Sequence, residues 1–184
     1  MSSKIRTEVV DFIDAKNDSK VLDIATGTGK QAFAFAKGGY DVIGIDLSED
    51  ILKVANRGNK YENITFEVAD AANMPFKNNQ FDVSCISFAL HDMPLSIGKK
   101  VLDEMVRVTK TQGNITVVDY ALPKNKIIRY LVYHFLKSKE GKNYVVFVKS
   151  DLHALFTEMG IKLEKEISVL FGAVRMLKGT KQSF

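Results

Sequence analysis

Residues 21–30 read VLDIATGTGK: an apolar run holding one acid, then a turn with two threonines and two glycines. Glycines after a strand let a ligand approach the backbone closely. A helix that starts at such a turn points free amides at the ligand, which suits an anion such as a carboxylate. Asp23 places an acceptor beside that anion site, which suits an ammonium group. A ligand carrying both charges, such as an amino-acid tail, satisfies the pairing.

Two other nucleotide turns share part of this spelling. Gly27-x-Gly29-x-x-Ala32 fits the dinucleotide fingerprint, but that reading leaves Asp23 and Asp70 unexplained. Gly29-Lys30 suggests a phosphate loop. That loop needs a glycine at position 24 and Ser or Thr at position 31, where Ile and Gln stand.

Outward from the turn, strand and helix patterns alternate. KVLDIA (20–25), YDVIGID (40–46), NITFEVAD (63–70), FDVSCISFA (81–89) and NITVVDYA (114–121) read as strands. GKQAFAFAK (29–37) reads as a helix stopped by Gly38-Gly39. Ser48 caps the next, with Glu49 and Asp50 in its first turn. Ile5, Val9, Phe12 and Ile13 share one face of a first helix. Ile97, Val101, Met105 and Val108 share a face of a later one that ends before Gly113. Alternation of this kind implies right-handed crossovers and a mostly parallel sheet. Beyond residue 122, NKIIRYLVYHFLK (125–137) and SDLHALFTEMG (150–160, capped by Ser150) are predicted helices. IKLEKEISV (161–169) and AVRMLK (173–178) follow as strands, with a turn at 170–172 short enough to make them antiparallel.

In an open parallel sheet, ligands sit beyond the carboxyl ends of the strands. Those ends form a series here. Asp46, with Leu47 beside it, offers a carboxylate for ribose hydroxyls. Asp70 can accept from an exocyclic amine, and the amide of Ala71 can donate to a ring nitrogen. Ser87 ends the fourth strand, next to the glycine turn. An amino-acid tail, a ribose, an adenine-like base and no phosphate together outline S-adenosylmethionine.

These motifs resemble the class I S-adenosylmethionine-dependent methyltransferases over residues 20 to 121. VLDIATGTGK is similar to their first motif, VIGIDLSEDIL (42–52) to the second, FEVADAANMPF (66–76) to the third and FDVSCISFALHDM (81–93) to the fourth. Within that superfamily the chain most resembles the ubiquinone/menaquinone biosynthesis C-methyltransferase group, through DIATGTG, ADAANMPF, CISFALHD and SVLFGAVRMLKGTK. The resemblance implies a Rossmann-like α/β fold: a seven-stranded doubly wound sheet, mostly parallel, with the last strand antiparallel. It implies that Asp23, Ala25, Gly27, Thr28 and Gly29 hold the methionine end, Asp46 and Leu47 the ribose, Asp70 and Ala71 the adenine, with Ser87 also in contact. The product would be S-adenosylhomocysteine. The sequence departs from the quinone group at His91-Asp92, where that group tends to carry Arg-Asn.

A sulfonium methyl is already electrophilic, so the protein must hold an acceptor in line and exclude water, with a base only where a proton must leave. His91 is the candidate base, with Asp92 to orient it or to bind substrate; a cap on the helix near Pro94 is the alternative role for His91. Tyr120 could line the same pocket. His134 and His153 read as packing or surface residues, and the three histidines show no metal-binding spacing. Cys85 lies inside a strand and reads as an inert thiol. One cysteine excludes an intrachain disulfide and argues against arsenite methylation.

The 184 residues suit one domain, expected as a cofactor-binding core (1–122), a helical lid or substrate segment (123–160) and a C-terminal strand hairpin (161–184). The N-terminal stretch lacks a signal-peptide pattern and no run is long enough to span a bilayer, so a cytoplasmic protein is the expectation. Residues 99–142 carry ten Lys/Arg against four Asp/Glu. The basic, aromatic part of that region, extending to Phe147, could fold over a substrate or touch a membrane surface. The expected activity is methyl transfer to a small-molecule acceptor, quinone-like or aromatic. RNA or protein methylation and non-catalytic cofactor binding are the alternatives. Nucleic acid is disfavoured, because no Asn-Pro-Pro-aromatic motif or RNA module is present. No feature of the sequence sets the oligomeric state.

Overall fold

The computed structural model describes residues 3–181. Its elements are α1 (Ser3–Ile13), β1 (Lys20–Ile24), α2 (Lys30–Lys37), β2 (Asp41–Asp46), α3 (Glu49–Gly58), β3 (Ile64–Val68) and β4 (Phe81–Ser87). A 3-10 turn (Leu90–Asp92) leads into α4 (Leu95–Val108), β5 (Thr109–Tyr120), α5 (Lys126–Lys149), α6 (Leu152–Glu158), β6 (Ile161–Val169) and β7 (Val174–Lys181). The seven strands form one sheet in the order β3-β2-β1-β4-β5-β7-β6. β1 to β5 pair in parallel, and β7 runs antiparallel between β5 and β6. The expected sheet and its antiparallel last strand are both present.

The chain order reverses between β1 and β4, which opens a crevice at their carboxyl ends. Apolar side chains fill both faces of the sheet. On one, Val9, Phe12 and Ile13 of α1 and Ala32 and Phe35 of α2 pack on Val21, Val83 and Val118. On the other, Val101, Met105 and Val108 of α4 join Tyr144, Leu152 and Phe156 against Leu22, Ile86 and Val117.

Several boundaries differ from the sequence reading. β3 stops at Val68, so Asp70 stands two residues past the strand, and β4 stops at Ser87. β5 begins at Thr109 rather than residue 114. Its first residues pair with Phe81 across a register shift, and Gln112 takes a left-handed φ of 67° there. Ile97 is exposed, because α4 turns its buried stripe through Val101, Leu102, Met105 and Val108 instead. α5 runs on to Lys149 across a break at Gly141 (φ 80°, ψ −158°), a conformation reserved for glycine. Its second half is anchored by buried Tyr144, Phe147 and Val148; its first half leaves Ile127, Tyr130, Leu131 and Phe135 exposed. α6 is capped by Asp151, whose Oδ1 accepts from the amides of His153 and Ala154, whereas Ser150 donates to the carbonyl of Phe147. β7 runs from Val174 to Lys181 instead of 173–178. No helix among the described residues is long and apolar enough to cross a membrane.

Candidate functional site

The glycine turn leaves β1 through Ala25, Gly27 and Gly29, all left-handed (φ 53°, 56° and 74°). A side chain at Gly29 would meet the Phe66 ring 2.7 Å away, so bare backbone is needed where α2 begins. Asp23 is buried and accepts a 2.5 Å hydrogen bond from the Thr26 hydroxyl. Burial pushes its carboxyl up to about 7, against the hydrogen bonds from Thr26 and the Ala32 amide and with the charge of Asp46 adding to the rise. Asp46 ties the turn to the end of β2: its two oxygens accept from the amides of Gly27 (2.9 Å) and Ser48 (3.0 Å). Each oxygen keeps a lone pair for a further donor.

A cavity of about 210 Å³ opens here, walled by Asp23, the turn residues Ala25 to Thr28, Ser87 and, from α1, Arg6. Gln31 also lines it. Gln31 is buried, yet among the described residues its Oε1 has no partner, and neither does Nε of Arg6. Buried polar atoms without partners are costly. One acceptor and one guanidinium beside Asp23 match the ammonium and carboxylate of an amino-acid tail, so the residues present fit the methionine end of S-adenosylmethionine. Leu47 (73% exposed), Asp70 and Ala71 stand along the adjoining open shelf past β2 and β3, and Asp70 Oδ1 accepts from the amide of Ala72.

Next to Ser87 the chain bends at Phe88, again left-handed (φ 53°), and its amide donates to the carbonyl of Val118. Phe88 lines a second cavity, of about 390 Å³, with His91, Asp92, Tyr120, Glu140 and the apolar Ile5 and Val174. Consecutive residues thus line the two cavities, Ser87 and Arg6 the first, Phe88 and Ile5 the second. His91 is buried, and its Nδ1 lies 2.7 Å from Oδ1 of the equally buried Asp119. A carboxylate only accepts, so Nδ1 carries the proton and Nε2 faces the cavity. Asp119 also accepts from the amides of His91 and Tyr120. Nε2 stands 3.5 Å from Asp92 and 3.5 Å from Glu140. Burial opposes a charge on His91, but the Asp119 hydrogen bond and the charges of Asp119, Asp92 and Glu140 outweigh it and raise the imidazole pKa. Tyr120 donates to Glu140 (3.2 Å), and its ring meets those of His91 and Phe88 edge-on. Burial, with Glu140 next in size, lifts the Tyr120 hydroxyl to about 12.

The orienting group of His91 is thus Asp119, while Asp92 approaches the other nitrogen. His91 does not cap α4, whose N-terminus has no side-chain cap. Among the described residues, His91, Asp92 and Glu140 have ligand atoms within 4.8 Å of one another and could hold a cation. Histidine spacing in the sequence missed this group because Glu140 arrives from α5. Asp119 had a signal: like Asp23, it is an acid near the end of an otherwise apolar buried strand. Arg6, Gln31 and Glu140 had none. His134 packs against Tyr130 and Tyr133, His153 pairs with Glu166 at the surface, and burial raises the thiol pKa of Cys85.

Comparison with known proteins identifies the family. The family model described as "Methyltransferase domain" matches residues 21–113. A demethylmenaquinone methyltransferase of Paenarthrobacter aurescens is 40% identical over 131 residues, covering 71% of this chain and 50% of that protein. The one from Staphylococcus saprophyticus is 30% identical, covering 96% of this chain and 84% of that one. The chain spans about half the length of the curated relatives it matches at 40% identity. A SAM-dependent methyltransferase structure from Aquifex aeolicus superposes with a TM-score of 0.76 at 20% identity, covering 96% of this chain and 89% of that one.

Proposed function

The chain belongs to the S-adenosylmethionine-dependent methyltransferases, and on that premise we propose that it transfers a methyl group to a small molecule held against Phe88, His91 and Tyr120. The observation that carries this reading is that neighbouring residues, Ser87 and Phe88, line the two cavities. When bound, S-adenosylmethionine supplies an electrophilic methyl group on a sulfonium. Asp23, Gln31, Arg6 and the turn amides bind its amino-acid tail, Asp46 its ribose, and Asp70 with Ala71 its base. Phe88 and Tyr120 orient the acceptor and keep water from it. His91 accepts a proton at Nε2 while Asp119 fixes its tautomer and orientation. Residues 123–160 form the cover on the acceptor side, bringing Glu140 to the cavity.

A second reading takes the acceptor as a quinol-type ring. Its support is the names of the demethylmenaquinone methyltransferase relatives together with the aromatic and apolar wall of the cavity. The exposed Ile127, Tyr130, Leu131 and Phe135, set among lysines, offer a surface on which a lipophilic acceptor could be collected.

Calorimetry tests the first step: S-adenosylmethionine is expected to bind, and Asp46→Ala to weaken that binding by roughly 30-fold or more. No heat with the parent protein, or preference for NAD, would sink the assignment. Transfer of a labelled methyl group to small-molecule rather than RNA pools tests the second step.

A further inference from the structure

The acceptor cavity carries more negative charge than methyl transfer to a neutral phenol or ring carbon calls for. His91 is faced by Asp92 from the 3-10 turn, by Asp119 and Tyr120 from β5, and by Glu140 from α5. Tyr144 of α5 packs on Tyr120. Arg175 of β7 stands opposite Asp119 in the sheet and does not line the cavity. Asp119 is matched by its bond to His91, while Asp92 and Glu140 remain. Among the described residues, no lysine or arginine lines the cavity.

The spacing of these groups is informative. Both 3.5 Å separations from Nε2 are too long for good hydrogen bonds, yet the three atoms lie within 4.8 Å of one another. A single donor just above their plane would stand about 2.8 Å from each, the ordinary length of a charge-assisted bond. An ammonium group has three donors and the matching charge. Phe88 and Tyr120, packed edge-to-face at 5.3 Å, supply ring surfaces for its body and for a cation. A phenolate or enolate developing in the same place would be repelled by both carboxylates.

We propose that the acceptor is a primary or secondary amine on an apolar or aromatic body, bound as its ammonium ion among His91 Nε2, Asp92 Oδ1 and Glu140 Oε2. This rests on the methyl-transfer reading above. Neutral His91 takes one proton from the ammonium ion, freeing the nitrogen lone pair. That pair forms the N–C bond to the methyl group as the C–S bond breaks, and the bonding electrons leave with sulfur, which becomes a neutral thioether. The nitrogen ends as a methylated ammonium ion, still matched by Asp92 and Glu140, and His91 later loses its proton to water. Charge and atoms balance: two cations give one cation, a thioether and a proton. The ammonium ion and the His91 proton compete for the same carboxylates, so each weakens the other's binding.

The experiment starts with calorimetry of S-adenosylmethionine. Labelled methyl transfer is then measured to 2-phenylethylamine and N-methyl-2-phenylethylamine, and to 4-ethylphenol and 1,4-naphthohydroquinone. The amines are expected to turn over, with the phenol and quinol at least ten-fold slower. The Asp92→Asn/Glu140→Gln double variant is expected to lose ten-fold or more in kcat/KM for the amine and to keep its affinity for S-adenosylmethionine. Binding of 2-phenylethylamine, measured in buffers of different ionisation enthalpy, should release a proton near neutral pH. The proposal falls if the quinol is preferred or if no amine reacts on a protein that binds S-adenosylmethionine. It falls equally if the double variant methylates the amine as well as the parent does. Amine turnover lost in EDTA and restored by Mg²⁺ would assign the three groups to a metal instead. Failure to bind S-adenosylmethionine removes both readings, which separates that result from a wrong acceptor.

Discussion

The two ends of the crevice are built differently. At the cofactor end, backbone does most of the work: a left-handed glycine turn, amides tied to Asp46 and an open shelf beyond β2 and β3. At the acceptor end, the buried Asp119 of β5, the partly exposed Glu140 of α5 and the exposed Asp92 of the 3-10 turn converge on one buried imidazole. The first end is centred on one turn after β1, with Arg6, Asp46 and Ser87 brought to it. The second is assembled from side chains, with His91 and Glu140 standing 49 positions apart in the sequence.

The sharpest way to break this contrast is Asp119→Asn. Removing the charge that orients His91 should lower kcat by on the order of 100-fold or more, with affinity for S-adenosylmethionine unchanged. Removing that anion also lowers the imidazole pKa, so the acid limb of the kcat profile should move to lower pH. An unmoved limb would mean that Asp119 acts on folding alone.

Asp46→Ala should act at the other end only. Losing a carboxylate that secures two amides and the ribose should weaken cofactor affinity by roughly 30-fold or more, on the scale of charged hydrogen bonds. An equal affinity by calorimetry would show that the turn holds without it.

Asp23 gives a pH dependence. Its folded pKa of about 7 lies above its ordinary 3.8, so the folded apo protein binds the extra proton and loses stability as pH rises between those values. The ammonium group of the tail favours the ionised form, so S-adenosylmethionine affinity should rise by up to about ten-fold per unit below pH 7 and level off above it. Asp23→Asn should flatten both curves; persistence of either slope would place its origin in another group.

The smallest effect is expected at Gly141→Ala. Forcing φ 80°, ψ −158° on an alanine should cost on the order of 1–3 kcal/mol of stability, read as a lower denaturation midpoint, with cofactor binding intact.

The contrast also explains what was legible. Asp23, Asp46 and Asp70 could be read because each marks the end of an apolar run, and strand ends converge in a parallel sheet. Asp70 proved to lie past its strand, since a turn closed by its own bond to Ala72 takes over after Val68. The second half of α5 escaped notice because Gly141 and a lysine-rich stretch interrupt its apolar pattern, although Tyr144, Phe147 and Val148 are buried. Thr109–Gln112 read as the end of a helix stopped by Gly113, and their strand pairing depends on a neighbouring strand. Glu140 and Arg6 reach their cavities only through tertiary packing, which no local spacing encodes.

Gly141 divides α5 into units of unequal local stability. Residues 142–149 are pinned to the core, whereas residues 126–140 bury only Leu136 among their large apolar side chains. Hydrogen exchange should register this as two opening free energies on one helix, with faster exchange before the break. Glu140 is the last residue of the looser unit, so the charge on one side of the acceptor site is tethered to a segment able to swing outward. Entry of an acceptor would then require melting a few turns of helix, with the sheet left untouched.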